Sequence, residues 1–416
     1  MSPFHLAVVL LSPPKDGYPL ILDKDLAGLT VLERLLLTLQ RAGANEILIL
    51  HQELDDTKIN PLINGFGQDP RFQCKMHWQD RKTFSEKGNP NAGDLTQSQP
   101  FLLTNGNLVT HANLIESFAN SAIAENPNLN TARSLHKISG SPGGLHLLPH
   151  EKFSTVERYA SGESIEEKTQ RTTISDPDFF WMEIDTHSTL QKAEEKLLKS
   201  CGLNNDSFMD RLLTRFFSRQ LTGIFLKTSI TPNQITFVSL LTGLAAALCF
   251  FPGGYQMGIA GAMLLIISAW IDCTDGEVAR LKFMVSEWGA RLDIIADNIV
   301  HCFVFFSIGM GLFYSTEQTI FIYLGLLAVL GTLASFILIS KTIIEGKAES
   351  DISPHCENKN FTDQLANRDF IYFLFILALF GRLDAFILLT AVGSNFFAIY
   401  LVYQKFRAIP SGSIAK

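Results

Sequence analysis

Charged side chains are scarce in this sequence, and their scarcity is uneven. Asp, Glu, Lys and Arg make up 18% of the 416 residues, whereas soluble domains carry about 25%. Residues 228–271 contain no charged side chain, and because a membrane-spanning helix needs about 20 apolar residues, this run has room for two spans. Residues 1–200, in contrast, carry 19 Lys and Arg and 25 Asp and Glu. The chain therefore divides into a soluble first half and a membrane-embedded second half.

Three further features are missing. The net charge is −7, so the basic excess typical of nucleic-acid partners is absent and no nucleic acid is expected. The six cysteines form no Cys-X-X-Cys pair and are interpreted as reduced thiols. The opening "MSPFHLAVVLLSPP" has no basic region and no small-residue cleavage site, which favours a first β-strand over a signal peptide. We therefore expect the N-terminus to be cytoplasmic.

The first half has the pattern of an α/β domain. "HLAVVLL", "LTVLERLLLTLQRAG" and "EILILH" predict strand, helix and strand, the unit of a parallel sheet. "PFLLTNGN" and "FFWMEID" predict later strands, and "STLQKAEEKLLKS" a final helix. The polar, turn-rich residues 79–99 predict a loop. We expect an α/β, Rossmann-like domain over residues 1–203.

The second half predicts an all-α membrane domain over residues 229–408, followed by a tail, 409–416. We expect six spans, at 233–252, 256–279, 288–314, 318–342, 366–382 and 385–405. The fifth has a charge-free core of only 12 residues, so a re-entrant or tilted segment is its alternative.

The segment between the halves, 204–228, predicts a basic amphipathic helix. Phe208 and Phe216 fall near one side, with Arg211, Arg215 and Arg219 beside them. Such a helix lies on an anionic membrane surface or packs on its own protein, and the two are compatible.

Basic residues decide the predicted orientation. Arg280, Lys282 and Arg291 lie between spans two and three, and more follow span four, whereas the loop after span one has no charge. The positive-inside rule then places both termini and the two basic loops in the cytoplasm.

Four aspartates stand at the cytoplasmic ends of spans two and three: Asp272, Asp275, Asp293 and Asp297. Carboxylates persist near a bilayer's interior when they are paired, bind metal or line a water-filled cavity. Spacings of three and four residues place each pair on one face of its helix. Because hard oxygen ligands suit Mg²⁺ or Mn²⁺, ions that also hold substrate phosphates, phosphate chemistry is expected.

The residues around the aspartates fit that interpretation. Gly276, Ala279 and Gly289 remove side-chain bulk, and Arg280 supplies a bidentate phosphate donor. A cation-transport path, or a salt-bridge network with Arg280 and Arg291, is the competing interpretation. An intramembrane aspartyl protease would need a Gly-Asp pair on separate helices, which the sequence lacks.

The order of these residues resembles the signature of the CDP-alcohol phosphatidyltransferase family. Eight positions match at the family's spacing: Asp272, Asp275, Gly276, Ala279, Arg280, Gly289, Asp293 and Asp297. The resemblance implies a six-helix membrane enzyme, often a homodimer, that moves a phosphoryl-alcohol group from a CDP-alcohol to an acceptor hydroxyl and releases CMP.

The resemblance also implies roles for single residues. Asp272, Asp275 and Asp293 would bind Mg²⁺ or Mn²⁺, and Asp297 would be a metal ligand or the general base. "TPNQIT" resembles the family's Thr-Pro-Asn entry, which places Asn233 beside the nucleotide. The donor is CDP-diacylglycerol or a soluble CDP-polyol, and the product a phospholipid or other polar lipid.

The soluble half resembles sugar-nucleotide nucleotidyltransferases, in "AVVLL", "VLERLLLTLQRAGANEILIL" and "WMEIDTHSTLQKAEEKLL". By that resemblance Asp185 would hold Mg²⁺, and the whole chain resembles bifunctional inositol-1-phosphate cytidylyltransferase/di-myo-inositol-phosphate phosphate synthases. "LSPPKDGYPL" lacks the expected Gly-rich loop, and Asn105 and Asn107 stand where the family has a metal-binding aspartate. We therefore interpret the domain as a degenerate cytidylyltransferase.

Two other functions stay open at this point. One is a catalytically silent nucleotide sensor or membrane scaffold. The other is a bifunctional enzyme whose soluble half makes the CDP-alcohol that the membrane half uses.

Overall fold

The structure is a computed structural model that describes residues 3–12, 15–52, 54–87, 100–125, 133–136, 142–156, 170–173, 180–201, 213–345 and 369–407. The chain divides into two compact units, Met1–Ser200 and Cys201–Lys416. Each unit has a hydrophobic core of its own.

The N-terminal unit is an α/β structure. Its strands are β1 (Leu6–Leu11), β2 (Asp25–Leu26), β3 (Leu29–Thr30), β4 (Glu46–His51), β5 (Lys75–Asp80), β6 (Phe101–Asn105), β7 (Leu108–Thr110), β8 (Arg133–His136), β9 (Pro142–Leu148), β10 (Gln170–Thr173) and β11 (Trp181–Glu183). Its helices are α1 (Pro19–Leu22), α2 (Val31–Arg41), α3 (Asp56–Gln68), α4 (Arg81–Lys87), α5 (Ala112–Glu125) and α6 (His187–Lys199), with a 3₁₀ helix at His150–Thr155.

Seven strands form one sheet in the order β10-β8-β9-β6-β1-β4-β5. β1 pairs in parallel with β4 and with β6, which confirms the predicted parallel βαβ unit and the α/β class. The crossover helix α2 begins at a capping box in which Thr30 accepts from the Glu33 amide and Glu33 accepts from the Thr30 amide. Because the chain passes from β5 on one side of β1 to β6 on the other, the carboxyl ends of β1 and β6 form a topological switch point.

The loop predicted over residues 79–99 is wrong at its start. Residues 79–80 end β5, and α4 follows at once, while residues 88–99 lie outside the described part of the chain. The Asp80 carboxylate accepts from the amides of Lys82 and Thr83, which satisfies the first turn of α4. Arg81 is buried and donates to Ser12 Oγ at 2.8 Å, so a polar stretch becomes ordered through contacts that are distant in sequence.

The C-terminal unit is helical. Its described helices are α7 (Arg215–Leu226), α8 (Pro232–Phe250), α9 (Tyr255–Leu281), α10 (Glu287–Thr316), α11 (Ile320–Glu345), α12 (Asp369–Leu379) and α13 (Leu383–Arg407). Five of the helices in the described residues are long and apolar enough to cross a membrane: α8, α9, α10, α11 and α13. The predicted fifth span is described only as α12, which is too short at 11 residues to join them.

Glycines let these helices approach closely. A Cβ atom on Gly243 of α8 would lie 2.6 Å from Val300 of α10. Gly253, in the turn after α8, has φ +76°, and a Cβ there would lie 2.3 Å from the Gly311 carbonyl oxygen. Small residues therefore set the distance between α8 and α10.

The amphipathic helix predicted around residues 206–227 is described from Arg215 onward, and residues 202–212 lie outside the described part. Its inner face packs on α9 and contains Arg215, which is buried and pairs with Glu277 of α9. Phe216 and Ile224 are 59% and 61% exposed on the other side. Packing on its own protein and an apolar outer face thus occur together, as the sequence allowed.

Candidate metal centre

Three of the four predicted aspartates converge. Asp272 and Asp275 on α9 and Asp293 on α10 each offer an oxygen, and these three oxygens lie within 4.8 Å of one another. Asp272 and Asp275 are buried, and Asp293 is half-buried. A one-turn separation places the two α9 carboxylates on one face, and the start of α10 brings in the third.

This donor set fits a divalent cation. Oxygens on opposite sides of one Mg²⁺ are about 4.2 Å apart, since each Mg²⁺–O distance is about 2.1 Å. The spread of 4.8 Å is therefore within a small side-chain rotation of a coordinating arrangement. Three closely spaced carboxylates repel one another, and a divalent cation removes that repulsion.

Two hydroxyls of α8, which the sequence interpretation missed, lie next to the α9 carboxylates. Thr236 Oγ1 donates to Asp275 Oδ2. Ser239 Oγ lies 3.3 Å from Asp272 Oδ1, and Ser268 Oγ donates to the Ser239 carbonyl at 2.7 Å. Hydrogen bonds of this kind fix the orientation of metal-binding carboxylates.

The predicted ligand-binding residues fall into two further pairs. Asn233, exposed at the start of α8, has its side-chain oxygen 3.1 Å from where a Cβ of Gly289 would lie. Arg280 folds back over Gly276, with Nη1 3.3 Å from that residue's Cβ position, and its Nη2 donates to the Cys201 carbonyl at 3.2 Å. The two glycines therefore provide the space that these polar side chains occupy.

Asp297 and Ala279 stand apart from the group of three oxygens. Asp297 follows Asp293 by one turn of α10 and is half-buried. Ala279 is half-buried near the end of α9, where its carbonyl accepts from the Met284 amide at 2.8 Å. Arg291, considered as a partner of the aspartates, forms an exposed pair with Glu287 at 3.5 Å.

The N-terminal unit has a second polar cluster, next to the switch point of its sheet. Asn107 Nδ2 donates to Asp185 Oδ1 at 3.0 Å, and Asn105 Nδ2 donates to Glu183 Oε1 at 3.2 Å. The Asp16 carboxylate accepts from the His187 amide, which begins α6, at 2.9 Å. Each carboxylate here is thus matched to an N–H donor of the protein.

One family model matches the C-terminal unit: CDP-alcohol phosphatidyltransferase, over residues 229–400. That span includes all eight positions of the aspartate signature. The family match and the five helices of spanning length together indicate an integral membrane protein.

Two relatives align in sequence with parts of this chain. The bifunctional IPC transferase and DIPP synthase of Aquifex aeolicus is 26% identical over 290 residues, which cover 66% of this chain and 64% of that protein. The phosphatidylinositol phosphate synthase of Corynebacterium glutamicum is 36% identical over 94 residues, or 23% of this chain and 42% of its own. The alignments thus span less than two thirds of these relatives.

Among solved structures, the phosphatidylinositol phosphate synthase of Mycobacterium tuberculosis with CDP-DAG bound covers 49% of this chain and 98% of its own, at 17% identity and a TM-score of 0.38. The similarity to the family rests on the match to the family model and on the spacing of the signature residues, not on this structure. Residues 229–400 of this chain match the model of the CDP-alcohol phosphatidyltransferase family.

Proposed function

We propose that the protein is a CDP-alcohol phosphotransferase of polar-lipid synthesis, which moves a phosphoryl-alcohol group from a CDP-alcohol to an acceptor hydroxyl and releases CMP. The observation that carries this proposal is the convergence of Asp272, Asp275 and Asp293 within 4.8 Å, inside a domain of this family. The names of the relatives, a bifunctional IPC transferase and DIPP synthase and a phosphatidylinositol phosphate synthase, support the same reaction class.

In this proposal the three aspartates hold Mg²⁺ or Mn²⁺. When bound, the cation neutralises the pyrophosphate and stabilises the leaving phosphate. Arg280 contributes a further positive charge for phosphate. Asn233 and Gly289 border the nucleotide, and Gly276 and Ala279 leave room for the ligand beside α9.

The remaining aspartate, Asp297, takes the proton in this proposal. The acceptor's hydroxyl oxygen attacks the donor phosphorus, the bond from that phosphorus to the CMP oxygen breaks, and the hydroxyl proton passes to the Asp297 carboxylate. What supports this division of labour is that Asp297 stands outside the group of three metal-binding oxygens. The alternative, Asp297 as a fourth ligand, predicts that its loss weakens metal binding.

The reaction is tested by CMP release from purified, detergent-solubilised protein with Mg²⁺. CDP-diacylglycerol and CDP-inositol are offered in parallel with a panel of alcohol acceptors. We expect CMP with one donor class, its loss in Asp297→Asn, and no change in Asp384→Asn, an exposed ion-pair residue of α13. Cytidine nucleotide binding without CMP from any pair would contradict the transferase and favour the sensor or scaffold.

The topology is part of the same proposal. Both termini and the metal centre are cytoplasmic, because Arg280, Lys282 and Arg291 lie near one end of α9 and α10. Added protease should then cut the N-terminal unit in inside-out vesicles. Cleavage in right-side-out vesicles would contradict this orientation.

The homodimer implied by the family resemblance is tested by the mass of the detergent-solubilised particle.

We further propose that the N-terminal unit is catalytically silent. What supports this is that Asn107 gives Asp185 an amide donor in place of a second carboxylate, so the Asp185 carboxylate has a hydrogen-bond partner without a metal. Incubation of the full chain with CTP and inositol-1-phosphate should release no pyrophosphate. Pyrophosphate formation would instead favour the bifunctional enzyme.

A further inference from the structure

A fifth acidic residue, Glu277, is completely buried beside the metal centre. It lies on α9 two residues after Asp275, and its side chain is 0% exposed. Two residues rotate a helix by about 200°, so Glu277 points away from the side of α9 that holds the aspartates. Its contacts are with α7.

Three side chains of α7 bind the Glu277 carboxylate. Arg215 Nη1 donates to Oε1 at 2.7 Å, and Ser218 Oγ donates to the same oxygen at 2.8 Å. Thr222 Oγ1 donates to Oε2 at 2.6 Å. These donors are spaced three and four residues apart, which is one face of a helix, and all are buried.

A second set of contacts holds α7 at a point on α9 about two turns before Glu277. Phe217 stacks on Trp270 with ring centroids 4.0 Å apart. Trp270 Nε1 lies 3.0 Å from the Tyr372 hydroxyl, which is 2.7 Å from Thr214 Oγ1. Trp270 precedes the aspartates and Glu277 follows them, so α7 is fastened to α9 on both sides of the metal-binding turn.

A charged network buried between two helices carries a large desolvation cost. Burying a carboxylate and a guanidinium costs several kcal/mol per ion, and apolar residues of similar size hold helices together at least as well. A polar network in which every group has a partner allows only one rotation and one register of the two helices. Any other arrangement of the helices leaves a buried charge unpaired.

We propose that Glu277 is a positioning residue that, through Arg215, Ser218 and Thr222, fixes the rotation of α9 and so the placement of Asp272 and Asp275. This inference rests on the proposed metal-dependent function. It assigns α7 a role in the metal centre although α7 supplies none of the three carboxylates.

The test measures Mn²⁺ affinity by electron paramagnetic resonance, with the thermal unfolding midpoint alongside, for full-length protein in detergent. In Thr222→Val, which keeps the shape but removes a donor to Glu277, we expect about tenfold weaker Mn²⁺ binding. Thr222→Ser, which restores the hydroxyl, should bind Mn²⁺ as the wild type does. Glu277→Gln should weaken binding further, because Arg215 is then left without its partner charge.

A matched control is Asp384→Asn, the same kind of change at an exposed ion pair, which should leave Mn²⁺ affinity unchanged. Wild-type affinity in both Thr222→Val and Glu277→Gln would overturn the proposal. So would a lower unfolding midpoint in Thr222→Val with Mn²⁺ affinity unchanged, since that is the result of a purely structural role.

The same data separate this proposal from the transferase. If the wild type binds Mn²⁺ and releases no CMP, the transferase fails, and the positioning role is still decided by the affinities of the variants. If the wild type binds no Mn²⁺ in the presence of cytidine nucleotide, the metal centre fails and the positioning role is overturned with it.

Discussion

The hydroxyl of Thr236 donates a hydrogen bond to Oδ2 of Asp275, and this contact ties the first spanning helix to the carboxylates of the second. Thr236 is buried, one turn after the Pro232 that begins α8. The orientation of a metal-binding carboxylate is thus set from the neighbouring helix rather than by α9 alone. Ser239 Oγ lies 3.3 Å from Asp272 Oδ1, and its shorter hydrogen bond, at 2.8 Å, goes to the Thr236 carbonyl.

Replacing Thr236 with Val should weaken divalent-metal binding about tenfold, because loss of a hydrogen-bond partner of a metal ligand costs roughly 10- to 100-fold in affinity. The measurement is the Mg²⁺ concentration that gives half-maximal CMP release. Thr242→Val is the matched control, since Thr242 is half-buried on the same helix and, in the described contacts, donates only to the Val238 carbonyl. An equal shift in both variants would contradict the role given to Thr236.

Replacing Gly243 with Ala should destabilise the membrane unit by about 1–3 kcal/mol, the usual cost of overpacking. The new methyl group would lie 2.6 Å from Val300. Adding Val300→Ala should recover part of the loss, and Gly393→Ala, where nothing lies within 4 Å, should have little effect. The thermal unfolding midpoint in detergent measures all three. Additive losses in the double variant would show that the two residues do not compete for space.

Replacing Asn107 with Asp should make the N-terminal unit respond to metal. The change removes the donor 3.0 Å from Asp185 and puts two carboxylates side by side, which repel unless a cation lies between them. Hydrogen exchange of the N-terminal unit should rise in the variant and fall again with Mn²⁺, whereas Asn45→Asp, at an exposed position, should not respond. Exchange in Asn107→Asp that is unaltered by Mn²⁺ would count against this interpretation of the cluster.

The stability of the N-terminal unit should fall as the pH is lowered from about 6.5 to 4. Burial, followed by the charge of Arg34, lowers the pKa of His111 to about 4, and its ring packs edge-on against Phe180. Since an unfolded histidine has a pKa of about 6.5, the unfolded chain takes up a proton in this window that the folded chain does not. The resulting loss is of the order of 2–3 kcal/mol.

This pH dependence is measured by hydrogen exchange of the α5 amides, corrected for the intrinsic effect of pH. His111→Phe, which keeps the ring but cannot be protonated, should flatten the dependence, and His187→Asn, at an exposed position, should not. An unchanged slope in His111→Phe would assign the effect to other groups.

Local patterns predicted much of this architecture. The βαβ unit followed from apolar runs, because their periodicity depends on residues close in the chain. The aspartate centre followed from spacing, since residues three or four apart share a helix face. The helix α4 was missed because its stability depends on Arg81 reaching Ser12, a contact 69 residues away in sequence.

The polar partners of the carboxylates could not be predicted in this way. Thr236, Ser239 and Glu277 look like ordinary helix residues, and their roles depend on how α7 and α8 are rotated against α9. One indication was present in the sequence: a carboxylate such as Glu277 within an apolar helix is energetically unfavourable unless it has a partner. The pairing of Arg215 with Glu277 could not be predicted either, because the two residues lie on different helices.

In the proposed function, Asp272, Asp275 and Asp293 hold a divalent cation on which phosphoryl transfer depends. The most direct measurement is the rate of CMP release by the purified protein after chelation with EDTA and after restoration of Mg²⁺ or Mn²⁺, with wild type and Asp272→Asn compared. We predict no CMP in EDTA, recovery in the wild type when the metal is restored, and no recovery in Asp272→Asn. Release that persists in EDTA, or equal recovery in both proteins, would contradict it.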